Sequence, residues 1–220
     1  MALAFAGVAY EKNKSFAMLE YLERIGLKVD SVRSGENALT QYIELGKKNP
    51  KIIKYFLSKK AGFDIYNEHG ETPLHLWAKF NEAKPLEIAL EYGANPNIKT
   101  IKPDSNSSKY IGKTPLHEAV SRDTPALGSI RILLKYGAEV NAVKYSLVNP
   151  YIHTALDEVN HWHSDAARMA LVKAGGLHWN SLVKKYKIDT SLETEEQVKF
   201  YEECLEAEKR VKLGMQVGSN

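Results

Sequence analysis

Seven histidines, a single cysteine and one glycine-lysine-threonine run are the residues of this chain whose types could carry chemistry. His153, His161 and His163 stand closest together, and imidazoles so placed could ligate a zinc ion that activates water. Such a site needs further ligands at motif spacing, and neither a neighbouring cysteine nor an HExxH pair accompanies these three. Gly112-Lys113-Thr114 has the form of the end of a phosphate-binding loop, but the glycine that should stand five residues earlier is Ser107, and no buried strand precedes it. Cys204 falls in a helical pattern with no nameable group to lower its thiol pKa, so it reads as a small core residue and not as a nucleophile. Asn106-Ser107-Ser108 matches a glycosylation sequon by pattern alone. Without a nucleophile elbow, a Gly-rich dinucleotide turn or a carboxylate pair, the chain reads as a non-enzyme that holds no cofactor and no metal. An enzyme or ligand-binding protein built on the three histidines is the alternative.

The chain of 220 residues is 44% hydrophobic and 26% charged, inside the range of ordinary globular domains and outside that of disordered chains. It is long enough to bury a core without a metal or disulfide staple. The lone cysteine cannot form an intramolecular bridge, and a free thiol suits a reducing compartment, so a cytoplasmic protein is expected. The longest apolar run, Met1 to Tyr10, is about half the roughly 20 residues a membrane helix needs and lacks the basic start of a secretory signal. Thirty basic and 27 acidic residues are mixed along the chain, which argues against a nucleic-acid footprint.

The order in the chain comes from self-similarity. Gly70-Glu71-Thr72-Pro73-Leu74-His75 recurs as Gly112-Lys113-Thr114-Pro115-Leu116-His117, and more weakly as His153-Thr154-Ala155-Leu156-Asp157. Each copy is followed by a second signature: Leu90-Glu91-Tyr92-Gly93-Ala94-Asn95-Pro96-Asn97, then Leu134-Lys135-Tyr136-Gly137-Ala138-Glu139-Val140-Asn141, then Val172-Lys173-Ala174-Gly175-Gly176. Threonine can accept from the free N–H groups of a first helical turn, and proline at the next position loses nothing there, so Thr-Pro starts a helix. This helix is expected to run to Asn81, which can take a left-handed turn. A second, from about Leu86 to Tyr92, is expected to end at Gly93 with a left-handed cap. The middle copy carries two extra residues, around Asp123 to Gly128. Leu74, Leu76, Ile88, Leu90, Leu116, Ile132, Leu133, Leu156, Met169 and Leu171 form faces too apolar to stand alone, so successive helical hairpins must stack.

Two motifs recurring together resemble the ankyrin repeat, whose pattern opens on Gly-x-Thr-Pro-Leu-His and exits on Gly-Ala-x-x-Asn. The resemblance implies an all-α solenoid of stacked helical hairpins. Residues 1–32 form an N-terminal helical cap or degenerate repeat, in which Met1 to Tyr10 and Phe16 to Leu22 are the two helices. Residues 33–66 form a degenerate repeat in which Gly35-Glu36-Asn37-Ala38-Leu39 replaces the usual opening. Repeats over 67–108 and 109–148 carry long loops, at Ile98 to Ile111 and Ala142 to Ile152, and 149–180 is a divergent repeat. Residues 181–220 make a C-terminal helical cap and tail, with a helix from about Ser181 to Tyr186. A longer helix then opens on the capping-box spacing of Thr194 and Gln197. Val198, Tyr201 and Leu205, with Phe200, Cys204, Ala207 and Val211 beside them, form its broad apolar stripe. The resemblance further gives His75 and His117 a structural role, tying neighbouring units, and places Trp77 inside the stack.

Ankyrin repeats usually bind proteins on their concave side, through loop tips and exposed positions of each first helix. Carried over to this chain, those positions are Tyr66, Glu68, His69, Glu71, Lys79 and Phe80, then Tyr110, Ile111, Lys113, Ser121 and Arg122, then Tyr151, His153, His161 and Trp162. Tyr66, Phe80, Tyr110, Tyr151 and Trp162 are aromatic, the type that anchors protein interfaces. The resemblance thus implies a non-catalytic adaptor or inhibitor that binds another protein or a peptide, with no nucleic acid or membrane, as a monomer in isolation. Lysine outnumbers arginine 24 to 6. The cluster Glu202, Glu203, Glu206 and Glu208 is similar to acidic patches in translocation signals of effectors from intracellular bacteria such as Legionella, among which ankyrin proteins are common. A protein secreted into a host cell is therefore a second expectation. Any solvent-facing helix would carry the same glutamates.

Overall fold

The computed structural model describes residues 2–32, 36–101, 110–122, 124–146, 151–159 and 165–212. Helices come in pairs: α1 (Ala2–Asn13) with α2 (Ala17–Arg24), α3 (Ala38–Glu44) with α4 (Pro50–Ser58), α5 (Pro73–Lys79) with α6 (Ala83–Glu91), α7 (Pro115–Val120) with α8 (Leu127–Lys135), and α9 (Ala155–Glu158) with α10 (Asp165–Lys173). First helices pack on first helices, α1 on α3 and α5 on α7 on α9, while second helices form the run α4, α6, α8, α10. The chain is an all-α repeat solenoid with few strands. One apolar core runs through the stack, from Leu19, Leu39 and Phe56 through Leu74, Leu86 and Leu116 to Ile130, Leu156 and Leu171.

The turns follow from the residues at them. Asn81 takes φ 55° after α5, and Gly93, Gly137 and Gly175 take φ between 85° and 90° after α6, α8 and α10, the left-handed caps that end helices. At Gly70 the need is steric as well as torsional, because a Cβ there would lie 2.3 Å from the Ile101 carbonyl oxygen. Trp77 is buried in the core, and its indole N–H has no acceptor among the described residues. Met169 departs from expectation: it is 67% exposed on α10, and Leu76 and Ile132 are only half-buried. Leu171 takes the inward position of α10, so Met169, two residues earlier, is turned toward the opposite side.

The stretches read as inserted loops contain strands. β1 (Tyr110–Ile111), β2 (Val143–Ser146) and β3 (Ile152–Thr154) form an antiparallel sheet in the order β1-β2-β3. Residues 102–109 and 147–150, with Lys102, Lys109, the 106–108 sequon and Pro150, lie outside the described residues. Val143, Tyr145 and Ile152 point to one side, where they pack with Leu182, Ile188, Val198 and Tyr201 into a second core. That core is completed by α11 (Trp179–Tyr186) and α12 (Thr194–Lys212), and the Tyr201 hydroxyl donates to the Asn141 carbonyl at 2.8 Å. The alternation of apolar and polar residues through Val143-Lys144-Tyr145-Ser146 is the strand signal that a loop reading overlooks.

The expected Thr194–Gln197 capping box does not form. Gln197 N–H already donates to the Glu193 carbonyl, making Thr194 the first residue inside the helix, and the Gln197 amide reaches back to the Leu192 carbonyl at 2.7 Å. The buried stripe of α12 is narrower than expected, since Phe200 and Ala207 are exposed and Cys204 is half-buried, while the side chain of Val211 lies outside those described. Three of the four clustered glutamates have lysine partners within the fold: Glu202 with Lys99, Glu206 and Glu208 with Lys209 and Lys185. Lys209 also pairs with Glu139, so α12 is fastened to the loops of two repeats. Replacing Tyr201 by Phe removes only the bond to Asn141 and is expected to cost about 1 kcal/mol in urea unfolding, with the same m value.

Candidate protein-binding face

The first-helix face is held by a repeated hydrogen-bond device. In α5 the Thr72 backbone N–H donates to His75 Nδ1 at 3.1 Å, which leaves the proton on Nε2 to be donated to the Lys113 carbonyl in the next repeat at 2.9 Å. In α7 Thr114 and His117 repeat the pattern, with His117 Nε2 donating to the His153 carbonyl at 3.3 Å. Both rings are buried. Burial is the first cause that lowers their pKa values, that of His117 to about 4. The second device is the exit asparagine. Asn97 accepts from Glu139 N–H and donates to the Gly137 carbonyl, and Asn141 does the same with Leu177 N–H and the Gly175 carbonyl. The backbone groups so satisfied stand between repeats, where no helix or strand ladder would pair them.

At the ends of the series the device changes. Asn37 and Thr40 form the capping box of α3, but the Thr40 hydroxyl stays local, on the Asn37 carbonyl, and Asn37 Nδ2 donates to the Gly62 carbonyl. Asp157 stands where His75 and His117 do. Its carboxylate accepts from Thr154 N–H and Trp179 N–H and meets His178 Nδ1 at 2.7 Å. The last repeat is thereby tied to α11 instead of to another repeat.

Charged residues line the same face and pair with each other. Glu118, fully buried, accepts from Lys113 Nζ at 2.8 Å and lies 3.8 Å from Lys79 Nζ, which is also 3.5 Å from Glu71. Lys144 on β2 pairs with Glu158 on α9, with side chains 5% and 13% exposed, and its ammonium sits 4.3 Å from the centre of the Tyr110 ring. His153 Nδ1 is 3.9 Å from the same Glu158 oxygen. The lysine and histidine beside it hold the Glu158 carboxyl below the ordinary value although burial, the largest single influence, acts the other way. Glu118, Lys144, Asp157 and Glu158 were absent from the residues singled out by sequence. For Glu118 the available signal was a carboxylate on the short, mostly apolar helix α7.

Of the residues singled out, Glu71, Lys79, Lys113, Tyr110 and His153 thus belong to this internal network, with Glu71 buried and the others half-buried. Ile111 pairs in register with Tyr145, whose ring packs toward the C-terminal helices. Cross-strand partners share a face, so Ile111 points away from the first helices. Tyr66 is half-buried, and Glu68 and His69 are exposed neighbours 3.6 Å apart. Phe80 and Tyr151 project, 55% and 57% exposed. Arg122 sets its guanidinium 5.6 Å from the Phe80 ring centre, and Tyr151 lies 6.1 Å from the His153 ring. Ser121 is exposed and donates to the Glu118 carbonyl. His161, Trp162 and His163 lie outside the described residues. Among the described residues no group of three or more His, Cys, Asp or Glu side chains is arranged to hold a metal ion, and no helix is long and apolar enough to cross a membrane.

Two stability predictions follow from this geometry. Below about pH 6.5 the unfolded chain takes up protons that His75 and His117 do not take up in the fold, so their contribution is complete above that pH and declines as pH falls below it, for His117 until about pH 4. Between pH 7 and pH 5 the wild type is expected to lose about 2 kcal/mol more than His117→Gln in urea unfolding. Lys144→Met leaves Glu158 buried without its cation and is expected to cost about 3 kcal/mol, whereas Lys144→Met with Glu158→Leu recovers most of that loss.

Residues 42–144 match the family model for ankyrin repeats, in three copies. The chain is 28% identical over 170 residues to an ankyrin repeat protein of Fowlpox virus (strain NVSL), a match covering 77% of this chain and 25% of the viral protein. It is 29% identical over 143 residues to the human neurogenic locus notch homolog protein 1, covering 61% of this chain and 5% of that relative. With the human neurogenic locus notch homolog protein 4 it shares 48% identity over 54 residues, 24% of this chain and 2% of the relative. The chain spans a quarter or less of the length of these curated relatives. The residues that match this model, 42–144, lie within a helical solenoid that continues on both sides of them.

Proposed function

We propose that the chain is a non-catalytic protein-interaction module, an adaptor or inhibitor that binds a protein or an extended peptide across its first-helix face. Ankyrin repeats generally mediate protein–protein interaction. The observation that carries the reading is the contrast between the floor of that face and what projects from it. The lysines and carboxylates of the floor are already neutralised by one another, while Phe80, Tyr151 and Arg122 stand out into solvent. Large amphipathic side chains over a rigid, charge-balanced floor are what an interface uses as anchors, because they are ordered before the partner arrives. The free thiol of Cys204 fits a cytoplasmic setting, and the module acts as a monomer.

The test uses the purified chain as bait beside Phe80→Ala/Tyr151→Ala, followed by titration of each with the purified protein retained. Both side chains lie outside the core, so the thermal midpoint of the double variant is expected to stay within about a degree of wild type, while affinity for the partner falls by about 30-fold or more. Equal affinity in the two proteins would remove the assignment of this face.

A further inference from the structure

The second helices have junctions of their own, and one of them lacks the charge pairing of its neighbours. α6, α8 and α10 pack in that order, and each is nine residues long, so equal positions recur along the row. At the α6–α8 junction Glu87, the fifth residue of α6, meets Lys135, the ninth of α8, at 3.3 Å, and Lys84 holds the same carboxylate at 3.0 Å. At the α4–α6 junction the corresponding residues, Lys54 and Glu91, are again opposite in sign. Between α8 and α10 the same two positions hold Arg131 and Lys173. Two cations cannot bridge. Both are exposed, and among the described residues neither forms an ion pair.

In place of a bridge this junction has an open cleft of about 600 Å³. Apart from the two cations its lining is apolar, with Leu134 from α8 and Ala166, Met169 and Ala170 from α10. Met169 is 67% exposed on it, and a methionine adapts its shape to what it meets. The size is within the range of pockets that take ligands. An occupant must therefore offer apolar surface and negative charge together. The walls are helices whose backbone groups are used within them, so an extended segment laid there would leave its own N–H and C=O groups unpaired over the apolar lining, whereas a helix satisfies its own. Recruitment to an anionic bilayer uses clusters of about four to eight basic residues, and this cleft has the two named.

We infer that the α8–α10 cleft is a second docking surface, which takes an acidic amphipathic helix of a protein partner. A large apolar side chain of that helix sits on Leu134, Met169 and Ala170, and carboxylates about one turn away meet Arg131 and Lys173. The apolar lining supplies affinity, and the cations supply orientation and selection against basic helices. The surface is separate from the first-helix face, so the module can hold one partner on each.

The test rests on Arg131→Glu, which puts at this junction the residue that α6 carries at its own. A bridge to Lys173 is then expected, so the thermal midpoint should equal or exceed that of wild type while the cleft loses its charge. A display library of helical peptides is selected on the full wild-type chain in the presence of excess soluble Arg131→Glu protein, which removes peptides that bind elsewhere, and the survivors are titrated as synthetic peptides. They are expected to carry Asp or Glu about one turn from a large apolar residue. They should bind at least about tenfold more weakly to Arg131→Glu and in about 0.5 M salt, and as tightly to Phe80→Ala/Tyr151→Ala as to wild type. No survivors, survivors without carboxylates, or survivors weakened equally by Phe80→Ala/Tyr151→Ala would overturn the assignment of the cleft, and the last of these would leave the first-helix face standing. Binding of wild type, but not Arg131→Glu, to vesicles of phosphatidylserine and phosphatidylcholine would assign the cleft to a membrane surface. A wild-type dimer in sedimentation that Arg131→Glu dissociates would assign it to a second copy of the chain, and either result would overturn the proposal.

Discussion

A neutral imidazole that accepts at Nδ1 and donates at Nε2 is the interaction on which the arrangement of the repeats depends. At His75 and His117 the ring closes the start of its own helix and, in the same gesture, fixes the carbonyl of the following repeat. Only a neutral ring with the proton on Nε2 can do both. The residue at this one position decides what each helix is joined to: His75 and His117 reach the next repeat, Thr40 reaches nothing beyond α3, and Asp157 gathers Trp179 and His178 of the C-terminal cap. The exit asparagines Asn97 and Asn141 brace the opposite edge of each junction. The stack is thus pinned along two lines, and the apolar core between them has its spacing set by polar contacts.

This pinning explains how the face divides its labour. Groups near the links are buried and must be satisfied internally, which is why Glu118, Lys113, Lys144 and Glu158 pair among themselves. Breaking such a pair is costlier than the pair is stabilising, so the floor is fixed by the penalty for leaving it. Groups beyond the links, Phe80, Arg122 and Tyr151, have no such obligation and remain exposed. Where the link is missing, α3 and α5 make only slight contact.

Much of the fold was legible because repeat signals are redundant. Thr72-Pro73 and Thr114-Pro115 mark helix starts, and Gly93 and Gly137 mark ends. The degenerate Asn37 start was readable by position alone and proved to be a capping box. Helix lengths were less legible: α5 ends at Lys79, two residues short of the left-handed Asn81. The strands were missed because β1 and β3 are shorter than a periodicity window, and because β2 and β3 pack on α12 and α11, distant in sequence. The site was harder still. Family position could nominate Glu71, Lys79 and Lys113, but which lysine meets which carboxylate depends on how far neighbouring repeats are rotated, and no single repeat encodes that. Ile111 shows the same limit, its facing set by a register with Tyr145 some thirty residues away.

The most direct measurement is a long-range proton–nitrogen NMR spectrum of the histidine side chains across pH. The account requires His75 and His117 to be neutral at pH 7 with the proton on Nε2 and slow to exchange with solvent, and His117 to remain unprotonated at pH 5. Rings at His75 and His117 that carry the proton on Nδ1, or that titrate near the ordinary value of about 6.5, would contradict it, because neither state can hold both ends of the link.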